Sequence, residues 1–365
     1  MKFFGFLLLL AFLAAGLAAW LIYTPFGPAA NSNPIYVDIA PGMGSQSIAT
    51  QLQKAGAIRS RYAFLILRAL KGRNLLAGEY RFDRPAPAID VYSRIARGDV
   101  YTVALTIPEG SNIFDIADAV DKAGLVPHDK FLAAERADTS LINDLSPNAA
   151  SLEGYLFPDT YRFPHHITAE KILSTMVARF RKVAAQWNIP QLNSRVGWPG
   201  APEWGDPPVV GSDGKIHEKP HSSRDVNKPL DLTQIVSLAS LVEKEVSQDS
   251  ERPMVAGVFL NRLAQKMPLA TDPTIIYAAL LNDRWRGTIY ASDLKYDSPY
   301  NTYIHAGLPP GPICNPGLAA LKAALHPAPT QNLYFVADGQ GHSVFSATLQ
   351  QHNQQVAAWR RATHH

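Results

Sequence analysis

The 365-residue chain has a single cysteine, Cys314. One thiol excludes an intramolecular disulfide and any multi-cysteine metal centre. Cys314 lies in GPICNPG, a Pro/Gly turn with no helix start behind it, a poor setting for a nucleophilic thiolate. Charge is also sparse. Charged residues make up 18%, and 34 Lys+Arg against 31 Asp+Glu leave a net +3. That gives no electrostatic footprint for nucleic acid, so no nucleic-acid partner is expected. The slight basic excess suits an anionic polymer or a membrane surface only weakly. What is present is apolar: 47% hydrophobic residues describe a globular protein with real cores. The length allows two or three domains.

Charge is missing altogether between Lys2 and Asp38. Within that gap, the apolar run Phe3–Tyr23 approaches the ~20 residues that cross a bilayer as a helix. Trp20 and Tyr23 stand at its end, as interfacial anchors do. A cleaved signal peptide has a shorter apolar core, roughly 7–15 residues, and a small-x-small cleavage site. Here bulky WLIYTPF follows the small residues, so an uncleaved single-pass anchor over residues 1–24 is the expectation. Lys2 and the α-amino group keep the N-terminus cytoplasmic. The remainder then lies on the extracytoplasmic, periplasmic side of the cytoplasmic membrane.

After a Pro/Asn/Ser linker at 25–35, alternation over Ile35–Ile39 predicts a strand. A helix carrying Ile48 and Leu52 follows, with Ser45 or Ser47 as its cap. A second helix bears Phe64 and Leu67, and AGEYRF returns as a strand. Residues 36–101 thus form a βααβ module. Residues 102–165 repeat the order of strand, Gly/Ser turn, IA helix and AG stop, which suggests a duplication or connecting module. Residues 166–362 form an α+β domain that opens on an amphipathic helix, Ala169–Trp187. Inside it, 197–228 has no period and reads as an exposed loop or insertion. That loop holds HEKPH, His217 to His221, which matches H-E-x-x-H with Glu218 as base. The zinc motif needs a helix, and Pro220 inside it blocks one, so no metal site is expected there.

The helix through QIVSLASLVEKEV, capped by Asp231 or Thr233, contains two glutamates. At ~100° per residue from Leu238, Ile235 falls near about +60°, Val242 near about +40° and Leu241 near about −60°. Glu245 lands near about −20°, inside this apolar stripe, and Glu243 near about 140°, at its solvated edge. A carboxyl in apolar surroundings keeps its proton longer, as a general acid must. Periodicity alone also fits a helix-end residue or a buried structural acid. The next helix starts in SQDSERP, with Asp249 or Ser250 as cap and Glu251 paired to Arg252.

The run LASLVEKEVSQDSERPMVAGVFLNRLAQKMPLATDPTIIYA resembles the MltG/YceG-like family of endolytic murein transglycosylases. EGYLFPDTY, YNTY, GLPPGPI, NPG, HPA and LYFVADG occur in the family's order. The likeness runs from about residue 36 to the C-terminus. It implies an α+β fold with an N-terminal transmembrane helix, LysM-like βααβ modules and an α+β catalytic domain. The second glutamate of the family's E-K-E motif is the catalytic acid, which is Glu245 here. Val246 stands where Thr or Ser is usual, and Ala270 where Gln is usual.

The resemblance implies a lytic transglycosylase, a carbon–oxygen lyase that uses no cofactor and no metal. Its substrate would be the glycan strand of nascent peptidoglycan, cut between N-acetylmuramic acid and N-acetylglucosamine to leave 1,6-anhydro ends. Such cutting terminates or trims strand elongation. Expected partners are peptidoglycan strands, the cytoplasmic membrane and synthases of the elongation or division machinery. Tyr300, Asn301, Thr302 and Tyr303 offer the polar atoms and flat faces of a sugar cleft. Asp272 in TDPT reads as a turn or cap residue more than a second acid. Glu153 would line the cleft or tie down its own loop. Two other readings stay open: a non-catalytic peptidoglycan-binding scaffold, and a water-using muramidase with Asp272 or Glu153 as base.

Overall fold

The structure is a computed structural model that describes residues 2–29, 33–186, 209–210, 216–217 and 230–363. It is mixed α+β, and every sheet among the described residues has two strands. The chain divides into two compact units, Met1–Ala104 with Arg162–His166, and Leu105–Tyr161 with Ile167–His365.

The first unit opens on α1 (Lys2–Tyr23), which is long and apolar enough to cross a bilayer. β1 (Ile35–Ile39), α2 (Ser45–Lys54), α3 (Arg61–Lys71) and β2 (Gly78–Phe82) follow in the expected βααβ order, then α4 (Ala88–Arg97). β1 and β2 pair antiparallel, with Val37 opposite Tyr80. The two strands bury Val37, Ile39, Tyr80 and Phe82 against Ile48, Leu52, Phe64, Leu67, Tyr92 and Ile95 from the helices. Ile22, near the end of α1, joins the same cluster, and the Arg59 guanidinium sits 4.4 Å over the Trp20 ring. α2 starts at Ser45 with Gly44 as its cap residue and no side-chain cap bond. Neither serine caps it, because this first turn is largely exposed and water can serve its N–H groups.

The second unit begins within β3 (Val103–Thr106). A capping box between Asn112 and Asp115 starts α5 (Ile113–Lys122), and α6 (His128–Ala137) packs beside it. β4 (Thr160–Phe163) precedes α7 (Ala169–Gln186). In the 197–228 segment, β5 (Val209–Val210) pairs antiparallel with β6 (Ile216–His217). The first histidine of HEKPH is therefore in extended backbone rather than on a helix. Glu218, Pro220 and His221, the rest of that segment, and Trp187 lie outside the described residues.

The unit's core is built on α8 (Leu232–Glu245). Asp231 caps it and exchanges bonds with Gln234 in a second capping box. Ile235 through Val242 are all buried, because α9 (Arg252–Ala264), α10 (Asp272–Leu281) and α11 (Leu318–Leu325) pack around it. Glu251, rather than Asp249 or Ser250, is the residue before α9, and it gives no side-chain cap bond. Gly257 lets α9 approach the chain closely, since a Cβ there would lie 2.4 Å from the Ala328 carbonyl oxygen. The hairpin β7 (Tyr334–Ala337) and β8 (Ser343–Ser346) pairs Phe335 with Phe345, and α12 (Leu349–Thr363) follows.

Candidate active site

Both glutamates of LVEKEV end α8, yet their settings differ in a way the wheel did not foresee. Glu243 is not at a solvated edge: its side chain is 5% exposed. Its Oε2 accepts bonds from Arg252 Nη1 at 2.8 Å and from the Gly317 N–H at 2.9 Å. A wheel assigns faces relative to one stripe, but α8 is covered on several sides, so the second face is buried too. Arg252 takes its partners from Glu243 and from Asp249, 3.2 Å from its Nε. The expected Glu251–Arg252 pair does not form. Glu251 instead accepts the Ser343 N–H at 3.1 Å and lies 3.0 Å from His342 Nδ1.

The Glu245 side chain has no hydrogen bond or ion pair among the described residues; the charges of Asp272 and Arg262 act on it without bonding to it. It is the last residue of α8 and is half-buried. Burial, and then the Asp272 charge, push its carboxyl up from 4.5 to about 7, while the Arg262 charge opposes the shift. A desolvated acid with nothing bonded to its charged form retains its proton near neutrality and has it available to give away. Val246 turns the chain into extended backbone and is buried. At that position an aliphatic side chain adds to the apolar surroundings where a hydroxyl was expected.

Asp272 opens α10, with Pro273 behind it and Thr271 as the residue before the helix. It is exposed and accepts the Tyr303 hydroxyl at 2.6 Å. Burial and this bond to Asp272 push the Tyr303 hydroxyl's pKa up. Just before, Ala270 holds φ 51°, in the left-handed region, and donates its N–H to the Thr302 carbonyl. Left-handed backbone is costly for a residue with a Cβ and recurs where surrounding structure enforces it near a site.

Within YNTY the four residues divide by exposure. Tyr300 and Tyr303 are half-buried. Asn301 is fully buried, donates to the Leu294 and Tyr296 carbonyls, and accepts the Tyr303 N–H. Thr302 is buried, and its Oγ1 accepts the Thr271 N–H and lies 2.9 Å from Thr274 Oγ1. With their polar atoms taken up by the protein, Asn301 and Thr302 hold Tyr303 and Asp272 in place and have little left for a sugar.

Glu153 is 2% exposed. Its oxygens accept the Ile113 N–H at 2.9 Å and Asn315 Nδ2 at 2.7 Å. Burial pushes its pKa well above the ordinary carboxyl value. Of the two roles left open for Glu153, the contacts favour tying down its own loop. Tyr277 interacts with Glu153, and its ring lies 5.1 Å from that of Tyr300.

Sequence reasoning missed Arg262. Its Nε donates to the Leu333 carbonyl at 2.6 Å and its Nη1 to the Leu269 carbonyl at 2.8 Å. Its guanidinium lies 5.3 Å from the Tyr334 ring. These bonds hold a cation near Glu245. Its one signal was a basic side chain on a helix that otherwise buries Val255, Val258, Phe259, Leu260 and Leu263. Cys314 is fully buried with Sγ 3.4 Å from the Ser240 carbonyl, and burial pushes its thiol pKa well up, as for an inert thiol.

Comparison with known proteins identifies the family of the chain. The profile of the YceG-like family matches residues 37–358. The chain is 33% identical over 336 residues to the endolytic murein transglycosylase of Bacillus subtilis (strain 168), a match covering 87% of this chain and 83% of that one. It is 30% identical over 352 residues to the endolytic murein transglycosylase of Streptococcus pneumoniae serotype 2, covering 88% of this chain but 58% of that longer protein. A crystal structure of a YceG-like protein from Listeria monocytogenes superposes with a TM-score of 0.55 at 29% identity, over 89% of this chain and 99% of the other. The chain belongs to the YceG-like family.

Proposed function

We propose that this chain is a membrane-anchored endolytic lytic transglycosylase that cleaves peptidoglycan strands with Glu245 as its acid and base. The observation that carries the reading is the state of Glu245: a side chain without a hydrogen-bond or ion-pair partner among the described residues, desolvated, with its pKa pushed up to about 7. The relatives of this chain are endolytic murein transglycosylases, which supports the substrate class.

Glu245 begins protonated and gives its proton to the glycosidic oxygen between N-acetylmuramic acid and N-acetylglucosamine as the C1–O bond breaks. The muramyl C6 hydroxyl then attacks C1, and the Glu245 carboxylate takes the hydroxyl proton. A 1,6-anhydro ring closes, the acid is regenerated, and no water is consumed. The single carboxyl suffices because the nucleophile belongs to the substrate. Most hydrolases of such bonds use two carboxylates. Asp272 keeps Glu245 protonated through its charge, and Tyr303 and Tyr300 supply a hydroxyl and ring faces for sugar. Arg262 stabilises the carboxylate once the proton has left.

The helix α1 is read as the anchor, with the enzyme on the extracytoplasmic face among synthases of the wall. The βααβ order of the first unit supports a LysM-like module that holds the strand or orients the enzyme. The test is digestion of purified sacculi by the chain and by Glu245→Gln, with chain ends identified by mass spectrometry. Anhydro-muramyl ends made by the first and lost in the second are expected. Reducing muramyl ends would establish a muramidase, and uncut glycan a scaffold.

A further inference from the structure

Away from the candidate active site, the first unit brings together Glu79 of β2 and the consecutive His165 and His166. One ligand atom from each lies within 4.8 Å of the other two. Glu79 is 4% exposed, yet its Oε1 is buried without a hydrogen-bond partner. His166 Nε2 lies 3.8 Å from that oxygen, beyond hydrogen-bond reach. His165 Nδ1 is buried and unpartnered as well. Two orphaned polar atoms in one cluster, one of them on a buried carboxylate, need explaining, because native interiors leave few such groups unsatisfied.

The surroundings fix the ligands in place. Glu79 Oε2 accepts the His165 backbone N–H at 2.7 Å, across 86 residues of sequence, and this bond sets the carboxylate's orientation. The His165 ring stacks on Tyr36, centroids 4.9 Å apart and planes 12° apart. The His166 ring meets that of His165 at 4.6 Å, nearly perpendicular. His166 is 76% exposed at its side chain, so a rotation there can close the set. We propose that Glu79, His165 and His166 bind a divalent transition cation, zinc by ligand chemistry, in the first unit. Two imidazoles and one carboxylate are a recurrent zinc set, which leaves a fourth position for water, and magnesium or calcium would call for more oxygen ligands. The carboxylate fixed by a backbone N–H is the outer support such ligands usually have. The ion would staple β2 to residues 162–166, two segments far apart in the chain.

The test is zinc binding by the tag-free full-length chain in detergent, measured by competition with a chromogenic chelator. His217, His221, His364 and His365 are rival ligands in the sequence, so a variant with all four changed to Ala is a required arm. The expected result is one zinc per chain in the wild type and in that fourfold variant. Affinity should fall by roughly 10- to 100-fold or more in His166→Ala and in Glu79→Gln. Because Glu79 is buried, the exposed His166→Ala is the deciding variant, with its circular dichroism matched to the wild type. Co2+ should give the intense visible bands of a tetrahedral site in the wild type and weaker ones in His166→Ala. Equal affinity in the wild type and His166→Ala, loss of zinc in the fourfold variant alone, or no zinc bound overturns the assignment.

Discussion

The Arg252 guanidinium and the Glu243 carboxylate meet at 2.8 Å with their side chains 6% and 5% exposed. Two residues further along the same helix, Glu245 has no such partner among the described residues. This difference separates a structural acid from a reactive one. Removing Glu243 leaves Arg252 buried and short of a counter-charge. Glu243→Ala should destabilise the chain by about 3–5 kcal/mol, read from the urea midpoint by circular dichroism. Glu245→Gln should leave that midpoint where it is or raise it, because no pairing is lost. A fall as large as that of Glu243→Ala would mean Glu245 is structural.

The pH profile of strand cutting should lose activity as pH rises through about 7, since Glu245 acts first in its protonated form. Asp272→Asn removes a charge that holds the proton on Glu245, so the alkaline limb should move to lower pH. Asparagine still accepts from Tyr303, so the loop geometry is kept. Rates of sacculus solubilisation across pH for both proteins measure the shift, and an unmoved limb would remove Asp272 from the account.

The same group makes stability depend on pH with a definite sign. Its folded-state value, about 7, lies above the ordinary 4.5. Between those values the native chain holds more protons at Glu245 than the unfolded chain does. The contribution of Glu245 is therefore most favourable below 4.5, declines as pH rises to about 7, and is level beyond. The difference in unfolding midpoint between wild type and Glu245→Gln should change across that window and stay constant above it.

Gly257→Ala should cost about 1–3 kcal/mol, because its Cβ would sit 2.4 Å from a backbone oxygen, where no side-chain rotation relieves the clash. Thermal melting gives the measurement, and an unchanged Tm would mean the segment around Ala328 yields freely.

Cys314 should react with a thiol reagent only after unfolding, since it is fully buried. Native protein treated with iodoacetamide should keep its cutting activity. Rapid native labelling with loss of activity would reinstate a role for the thiol.

Much of this was legible in the chain itself. A charge-free apolar run determines a helix of membrane-spanning length, because length and lack of charge are local properties. Alternation in Ile35–Ile39 determines β1, and Asp231 or Thr233 marks the start of α8, since a cap lies next to the helix it starts; the structure chose Asp231, which forms a capping box with Gln234. Glu245 was selected by periodicity and by family resemblance alike. Only the tertiary structure decided why Glu245 differs from Glu243. That difference depends on Arg252 and Gly317 arriving on one face, and on Asp272 and Arg262 lying near the other glutamate. The roles of Asn301, Thr302 and Glu153 were likewise out of reach, because a polar side chain looks the same in sequence whether the protein or a sugar takes its hydrogen bonds. Sequence spacing states which residue types a site has to draw on. Which of them remain unsatisfied, and so reactive, is settled by the partners that packing brings from far along the chain.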